Sequence, residues 1–213
     1  MKFEELVKEF SDSPFFELGE VRQIASNSKS QLHNQLSQWT KQGKVVRLRR
    51  GKYLLGPQYR KFTPSTYYIS NYLYRPSYVS LTTALQYYEL IPEAVGMVQA
   101  ITPKHGREWA NDLGRFEYRK IKQERFWGYK EDLLDSIPAQ NRFFVAEPEK
   151  AILDLMYLRN REWSKERIAE MRFQSLENID LKRLRRYSQK FTSAKIERAV
   201  DKFTEVYSSK LQS

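Results

Sequence analysis

A helix signal followed at once by a hairpin signal occupies residues 26–55, which read SNSKSQLHNQLSQWTKQGKVVRLRRGKYLL. Leu32, Leu36 and Trp39 recur at helical spacing and define the apolar side of one helix. The polar turn before that helix supplies N-cap chemistry, and Gly43 is placed to end the helix in a left-handed conformation. Two β-type runs around an Arg-Gly pair follow, so the sequence predicts a helix that leads directly into a β-hairpin.

Two shorter helix signals precede this segment. Apolar residues at i, i+3, i+4 and i+7 start at Phe3, and Pro14 disfavours helical geometry in the residue before it. Residues 18–25 read as a second helix, with Ile24 among the side chains that it buries. A short polar turn joins the second and third helices, as in a helix-turn-helix. Three helices followed by a basic hairpin predict a winged helix-turn-helix, with the hairpin as its wing.

The predicted wing lies in a region with a strong excess of positive charge. Between Val21 and Tyr88 the chain has eleven Lys or Arg residues and no Asp or Glu, although its 213 residues include 26 acids. A surface of one sign attracts an anionic partner, and binding to DNA phosphates releases condensed counterions. We therefore expect double-stranded DNA as the partner. A solvated basic face and a winged helix that binds protein stay open as alternatives.

Helical geometry selects the residues that would contact DNA. A recognition helix reads base edges through its N-terminal residues, and Asn and Gln can pair with adenine in bidentate fashion. In the wing, Arg47 and Arg49 face outward if Val46 and Leu48 face the interior. The predicted base-reading residues are Ser30, Gln31 and Asn34, and the predicted phosphate-binding residues are Lys29, Lys41, Arg47, Arg49, Arg50 and Lys52.

A second module follows residues 56–64, which are polar, contain two Pro residues and lack periodicity. Strand and helix signals then mix, among them a strand at Tyr78-Val79 and a helix from Leu81 that Ser80 is placed to cap. We therefore predict an α+β protein. Its expected parts are a winged helix-turn-helix domain at residues 1–62 and a mixed α/β domain at 63–213, whose end is helical from about residue 161.

Seven of the fourteen tyrosines lie between Tyr67 and Tyr88. Tyrosine rings can stack on the bases of single-stranded RNA, which would make this cluster a binding surface. Only Arg75 supplies positive charge within the cluster, and a nucleic-acid surface needs more. We favour packing between the two domains, and RNA stacking stays the alternative.

The sequence gives little support for a catalytic site or a metal site. The chain has two histidines, His33 and His105, no cysteine, and no glycine-rich phosphate loop. Asp154 lies in a strongly apolar helix, and we expect it to pair with Lys150 four residues before it or with an Arg from a neighbouring element. The sequence thus predicts no enzyme, no catalytic residues, no metal and no cofactor.

Three short segments of the chain, in the order in which they occur, carry a resemblance to a known family. They are residues 43–53 (GKVVRLRRGKY), residues 78–85 with 88–90 (YVSLTTAL and YEL), and residues 145–155 (VAEPEKAILDL). In this order they resemble the AbiEi-type antitoxins of bacterial abortive-infection, or type IV, toxin–antitoxin systems.

The resemblance implies a transcriptional repressor that binds its own operator and autoregulates its operon. It also implies a second domain that opposes, directly or indirectly, a nucleotidyltransferase-like toxin encoded alongside. A homodimer on two DNA half-sites is an arrangement that would strengthen such binding. The alternatives are a winged-helix regulator outside any toxin system and a phosphotransferase-like enzyme that acts on the toxin.

The location in the cell is expected to be cytoplasmic. The first residues have no apolar signal core, and no segment approaches the 18 or so apolar residues that a membrane span needs. The lack of cysteine fits a reducing compartment. We therefore expect no membrane partner.

Overall fold

The computed structural model describes residues 1–134 and 141–207. The protein is a mixed α+β chain in which N-terminal helices and a small antiparallel sheet precede a mixed sheet and C-terminal helices. Within the described residues, no helix is both long enough and apolar enough to cross a membrane.

The N-terminal part has the three helices and the hairpin that the sequence predicts, together with a short strand, β1, that was not predicted. Its small sheet is antiparallel in the order β1-β3-β2, and Phe16 pairs with Tyr53. The elements are α1 (Phe3–Phe10), β1 (Phe16–Glu17), α2 (Leu18–Ile24), α3 (Lys29–Lys41), β2 (Val45–Arg49) and β3 (Lys52–Leu55).

One core prediction in this part is wrong. Ile24 is 46% exposed, whereas Val21 in the same helix is fully buried. Helix α2 ends at Ile24, and Ala25 already has extended backbone angles. The last three residues of α2 therefore lie at the surface.

Both ends of α3 are fixed by local hydrogen bonds. The Gln31 amide donates to Ser28 Oγ at 3.3 Å, and the Ser28 amide donates to Gln31 Oε1 at 2.9 Å, which forms a capping box. At the other end Gly43 has φ +69°, which confirms the predicted left-handed stop. The Lys44 amide then donates to the Trp39 carbonyl at 2.9 Å, so the residue before β2 is hydrogen-bonded to the last turn of the helix.

The second part contains a six-stranded mixed sheet in the order β6-β7-β5-β4-β9-β8. Strands β6 and β8 form its two edges and were not predicted, because their sequences REWAN and YKED have no alternating apolar pattern. The strands are β4 (Tyr78–Val79), β5 (Val98–Thr102), β6 (Arg107–Asn111), β7 (Gly114–Lys120), β8 (Tyr129–Asp132) and β9 (Phe143–Ala146); the helices are α4 (Thr66–Leu73), α5 (Leu81–Tyr87), α6 (Pro148–Leu158), α7 (Lys165–Glu170), α8 (Leu181–Lys190) and α9 (Ala194–Tyr207).

A buried ion pair joins α6 to the centre of this sheet. Lys150 and Asp154 are both fully buried and hydrogen-bonded to each other, so Lys150 is the partner of the two that the sequence left open. Tyr78 and Ser80 each donate from their hydroxyls to Asp154 Oδ2 at 2.9 Å. Ser80 does precede α5, but its side chain caps nothing there, so that prediction is wrong. The carboxylate is the stronger acceptor for its hydroxyl.

The β2–β3 hairpin lies between two hydrophobic cores. On one side Val45 and Leu55 belong to the core of the N-terminal helices. On the other side Leu48 and Leu54 belong to the larger core built on the six-stranded sheet. Val46 packs against that same larger core. The hairpin is therefore covered on both faces over most of its length.

Candidate nucleic-acid interface

Helix α3 presents a polar face to solvent. Its predicted base-reading residues, Ser30, Gln31 and Asn34, are all exposed. The side-chain oxygen of Gln31 is engaged by the Ser28 amide in the capping box, which leaves its amide nitrogen for other partners. Within the described residues, the Ser30 and Asn34 side chains form no hydrogen bond. Asn34 thus keeps both its donor and its acceptor available, as bidentate pairing with adenine requires.

Four of the six predicted phosphate-binding residues are exposed cations. Lys29 and Lys41 lie at the two ends of α3, and Arg47 and Arg50 lie on the hairpin. In the described part of the chain, none of the four forms an ion pair. Unpaired cations on an exposed surface are free to neutralise phosphates.

Lys52 is placed differently. Its side chain is 14% exposed, and Nζ lies 2.6 Å from Glu17 Oε1. The same ammonium lies over the Tyr72 ring, 3.7 Å from its centroid. The Tyr72 hydroxyl donates to Glu17 Oε1 at 3.1 Å, so each of the three side chains contacts the other two. Lys52 therefore joins the hairpin to α4, and its predicted contact with phosphate would compete with these partners.

These contacts change the pKa of the Glu17 carboxyl. The hydrogen bond from Lys52 is the largest cause, and it lowers the pKa of Glu17 below its ordinary value of 4.5. Burial opposes that effect by penalising the charged form. The carboxylate is therefore ionised at neutral pH and holds the ammonium in place.

Arg49 also turns toward the second part of the chain. A register shift between Arg47 and Arg49 places Leu48 as an extra residue opposite β3. Arg49 then lies over the Trp109 ring, 5.5 Å from its centroid. The expected outward position beside Arg47 does not hold for Arg49, because the bulge reverses the alternation.

The β6–β7 hairpin contacts the β2–β3 hairpin. Asn111 Nδ2 donates to the carbonyl of Leu48, the bulged residue, at 3.1 Å. A cleft of about 410 Å³ lies between the two hairpins and is lined by Arg47, Arg50, Trp109 and Asp112 among others. The Arg47 and Arg50 side chains at this cleft are exposed. The wing is thus held in one position while its cations stay accessible.

Sequence reasoning missed the residues that hold the wing: Glu17, Tyr72, Trp109 and Asn111. A signal was present in the doublets Val45-Val46 and Leu54-Leu55. Two consecutive apolar residues in a short strand indicate burial on both faces, whereas a wing with one free face alternates. The doublets predict that something covers the hairpin, but not which segment does so.

The arrangement can bind anions and offer hydrogen bonds to base edges. Across residues 1–134 and 141–207, no group of three or more His, Asp or Glu side chains is placed to hold a metal ion. His33 is exposed on α3, and His105 lies in the loop between β5 and β6. No protein-family model matches this chain, and comparison with curated proteins also finds no match.

Proposed function

We propose that this protein is a winged-helix DNA-binding transcriptional repressor, in which α3 is the recognition helix and the β2–β3 hairpin is the wing. One observation carries the proposal. Lys29, Lys41, Arg47 and Arg50 are exposed on these two elements and, among the described residues, have no acidic partner. Arg47 and Arg50 form no ion pair with Asp112, although all three line the same cleft, so their charges stay available to phosphates.

In this proposal α3 enters the major groove with its N-terminal half against the bases. Asn34 pairs with an adenine, and Ser30 and the free amide group of Gln31 contact neighbouring base edges or phosphates. The four exposed cations neutralise phosphates on either side of the groove. With one phosphate each, they give a log–log salt slope of roughly −3.6 per bound copy.

The domain organisation belongs to the same proposal. Residues 1–62 form the DNA-binding domain, and residues 63–213 form a mixed α/β domain that positions the wing. The support is the network of Lys52, Glu17 and Tyr72, together with the hydrogen bond from Asn111 to Leu48. DNA affinity then depends on both parts of the chain, because the second part fixes the wing before binding.

We further propose that the repressor is the antitoxin of a type IV toxin–antitoxin pair. The support is the resemblance of residues 43–53, 78–90 and 145–155 to AbiEi-type antitoxins. The first segment is the wing, and the other two are in contact, since Val79 pairs with Val145 and Tyr78 donates to Asp154. These two segments therefore build the centre of the second domain, which would oppose the toxin.

Fluorescence anisotropy with labelled duplexes tests the DNA-binding proposal. The full chain should bind a duplex from the region upstream of its own coding sequence about 10³-fold or more tighter than a random duplex at the same salt concentration. Equal affinity for both duplexes would contradict sequence-specific repression.

Co-expression with the neighbouring gene tests the antitoxin proposal separately. If the neighbour arrests growth, the full chain should restore it from a foreign promoter, where repression plays no part. A DNA-binding chain that fails to restore growth would identify a regulator outside any toxin system.

A further inference from the structure

A second concave site shares no lining residue with the proposed DNA-binding surface. It is a cleft of about 500 Å³ between the end of α4 and the β8–β9 edge of the six-stranded sheet. Tyr68 and Arg75 form one wall, and Tyr129 and Phe144 form the other. A volume of this size suits a small organic ligand, and such sites combine apolar walls with a few polar groups.

The strand wall of the cleft exposes aromatic surface. Phe144 is 43% exposed, and Tyr129 is also among the large exposed side chains of the described residues. Tyr129 stacks on the buried Tyr78 ring with centroids 4.7 Å apart, and this contact holds the Tyr129 ring in position. The Phe144 ring stands edge-on to Tyr129 at 5.8 Å. Ordered, exposed aromatic rings in a concave site suit a planar ring that stacks on them.

The polar groups of the cleft favour an anion. Arg75 forms no ion pair within the part of the chain described, and its guanidinium lies over the Tyr72 ring at 5.6 Å. Arg142 is paired only weakly, with its NH1 atom 3.4 Å from Glu131 Oε2. Two guanidinium groups face one carboxylate, so the cleft keeps a net positive charge.

A buried hydroxyl supplies an independent observation. Ser77 is only 6% exposed and lines the cleft. Its Oγ atom has no hydrogen-bond partner among the described residues. Buried polar atoms are nearly always satisfied, so an unpartnered hydroxyl in a residue that lines a cleft is a candidate ligand contact.

We propose that this cleft binds a nucleotide. The base stacks against Tyr129 and Phe144, the phosphate contacts Arg75, and Ser77 Oγ hydrogen-bonds to the base or the sugar. A free mononucleotide and an unpaired nucleotide within a strand share this chemistry. None of the residues that line this cleft is assigned to the DNA-binding surface, so the proposal does not depend on DNA binding.

Isothermal titration calorimetry of the full chain tests this proposal. The probes are adenosine monophosphate, adenosine, ribose 5-phosphate and a single-stranded oligoadenylate. Adenosine monophosphate should bind about tenfold or more tighter than adenosine or ribose 5-phosphate, since each of these lacks one recognised group. Binding of the oligoadenylate without the mononucleotide would identify an unpaired nucleotide in a strand as the occupant.

Three variants locate the site. Arg75→Ala and Phe144→Ala should each weaken binding about tenfold, and both side chains are exposed, so the fold tolerates the changes. Lys130→Ala is the matched control. It removes one charge from the edge strand β8, next to Tyr129 in the sequence. Successive residues of a strand face opposite sides, so Lys130 points away from the cleft and binding should be unchanged.

Three results would overturn the proposal. They are no binding of either the mononucleotide or the oligoadenylate, equal binding of ribose 5-phosphate and adenosine monophosphate, and wild-type affinity in both cleft variants. If Phe144→Ala lowers the thermal midpoint, Arg75→Ala decides alone.

Discussion

The ammonium of Lys52, on the wing strand β3, lies over the ring of Tyr72, on helix α4, at 3.7 Å from the ring centroid. Tyr72 also stacks on Phe15 at 4.0 Å with nearly parallel rings. A residue of the second part of the chain thus contacts both Lys52 in β3 and the residue that precedes β1. Its contacts give the wing a fixed position relative to the six-stranded sheet.

This relationship predicts a stability effect for Lys52→Met. The change removes the cation–π contact and leaves Glu17 without its partner, and we expect a loss of about 1 kcal/mol in the free energy of unfolding. Chemical denaturation at neutral pH measures it. Lys61→Met is the control, because the exposed pair with Asp12 should contribute much less.

The same pair predicts a dependence on pH. The folded-state pKa of Glu17 is lowered, so its contribution to stability is present above the ordinary value of 4.5 and is lost as the pH falls through the folded pKa. The stability difference between wild type and Lys52→Met should therefore shrink when the pH is lowered from about 6 to about 3. A difference that stays constant over this range would mean that the ion pair contributes nothing.

The buried pair at Lys150 and Asp154 predicts a larger effect. Asp154→Asn leaves a fully buried ammonium without its counter-ion, and the free energy of unfolding should fall by about 3–5 kcal/mol. The double variant Lys150→Met with Asp154→Leu should be more stable than Asp154→Asn, since no unpaired charge remains. If the double variant is the less stable of the two, the Tyr78 and Ser80 hydrogen bonds matter more than the charge.

Asn34→Ala separates base reading from phosphate binding. If Asn34 pairs with a base, the change should cost about 1–3 kcal/mol of binding on the preferred duplex and little on a random one. Anisotropy titrations on both duplexes measure the difference. Gln23→Ala removes an exposed amide from α2 instead and should change neither affinity. Equal losses on both duplexes for Asn34→Ala would place its side chain away from the bases.

The sequence predicted the N-terminal helices, the hairpin and the helix stop at Gly43 because those signals are local. Spacing, capping and turn chemistry all act within a few residues. Lys150 and Asp154 were paired correctly for the same reason, since they are four residues apart on one helix.

What the sequence did not predict depends on contacts between distant segments. Glu17 and Tyr72 are 55 residues apart, and Asn111 lies 63 residues after Leu48. The bulge at Leu48 that turns Arg49 toward Trp109 also has no sequence signal of its own. Edge strands β6 and β8 were missed because a strand exposed on its outer side needs little apolar sequence.

The domain boundary stays a prediction for a related reason. Leu48 and Leu54 belong to the larger core, so a fragment of residues 1–62 would expose the side of the hairpin that they cover. Independent folding of that fragment is therefore a demanding test of the proposed organisation.

The salt dependence of DNA binding tests the central claim most directly. The double variant Arg47→Ala with Arg50→Ala should flatten the log–log salt slope by about two units, since each side chain is assigned one phosphate. Lys122→Ala with Lys130→Ala removes the same charge from exposed positions in the second part and should leave the slope unchanged. An unchanged slope in the Arg47 and Arg50 variant would contradict the assignment of the β2–β3 hairpin as a DNA-binding wing.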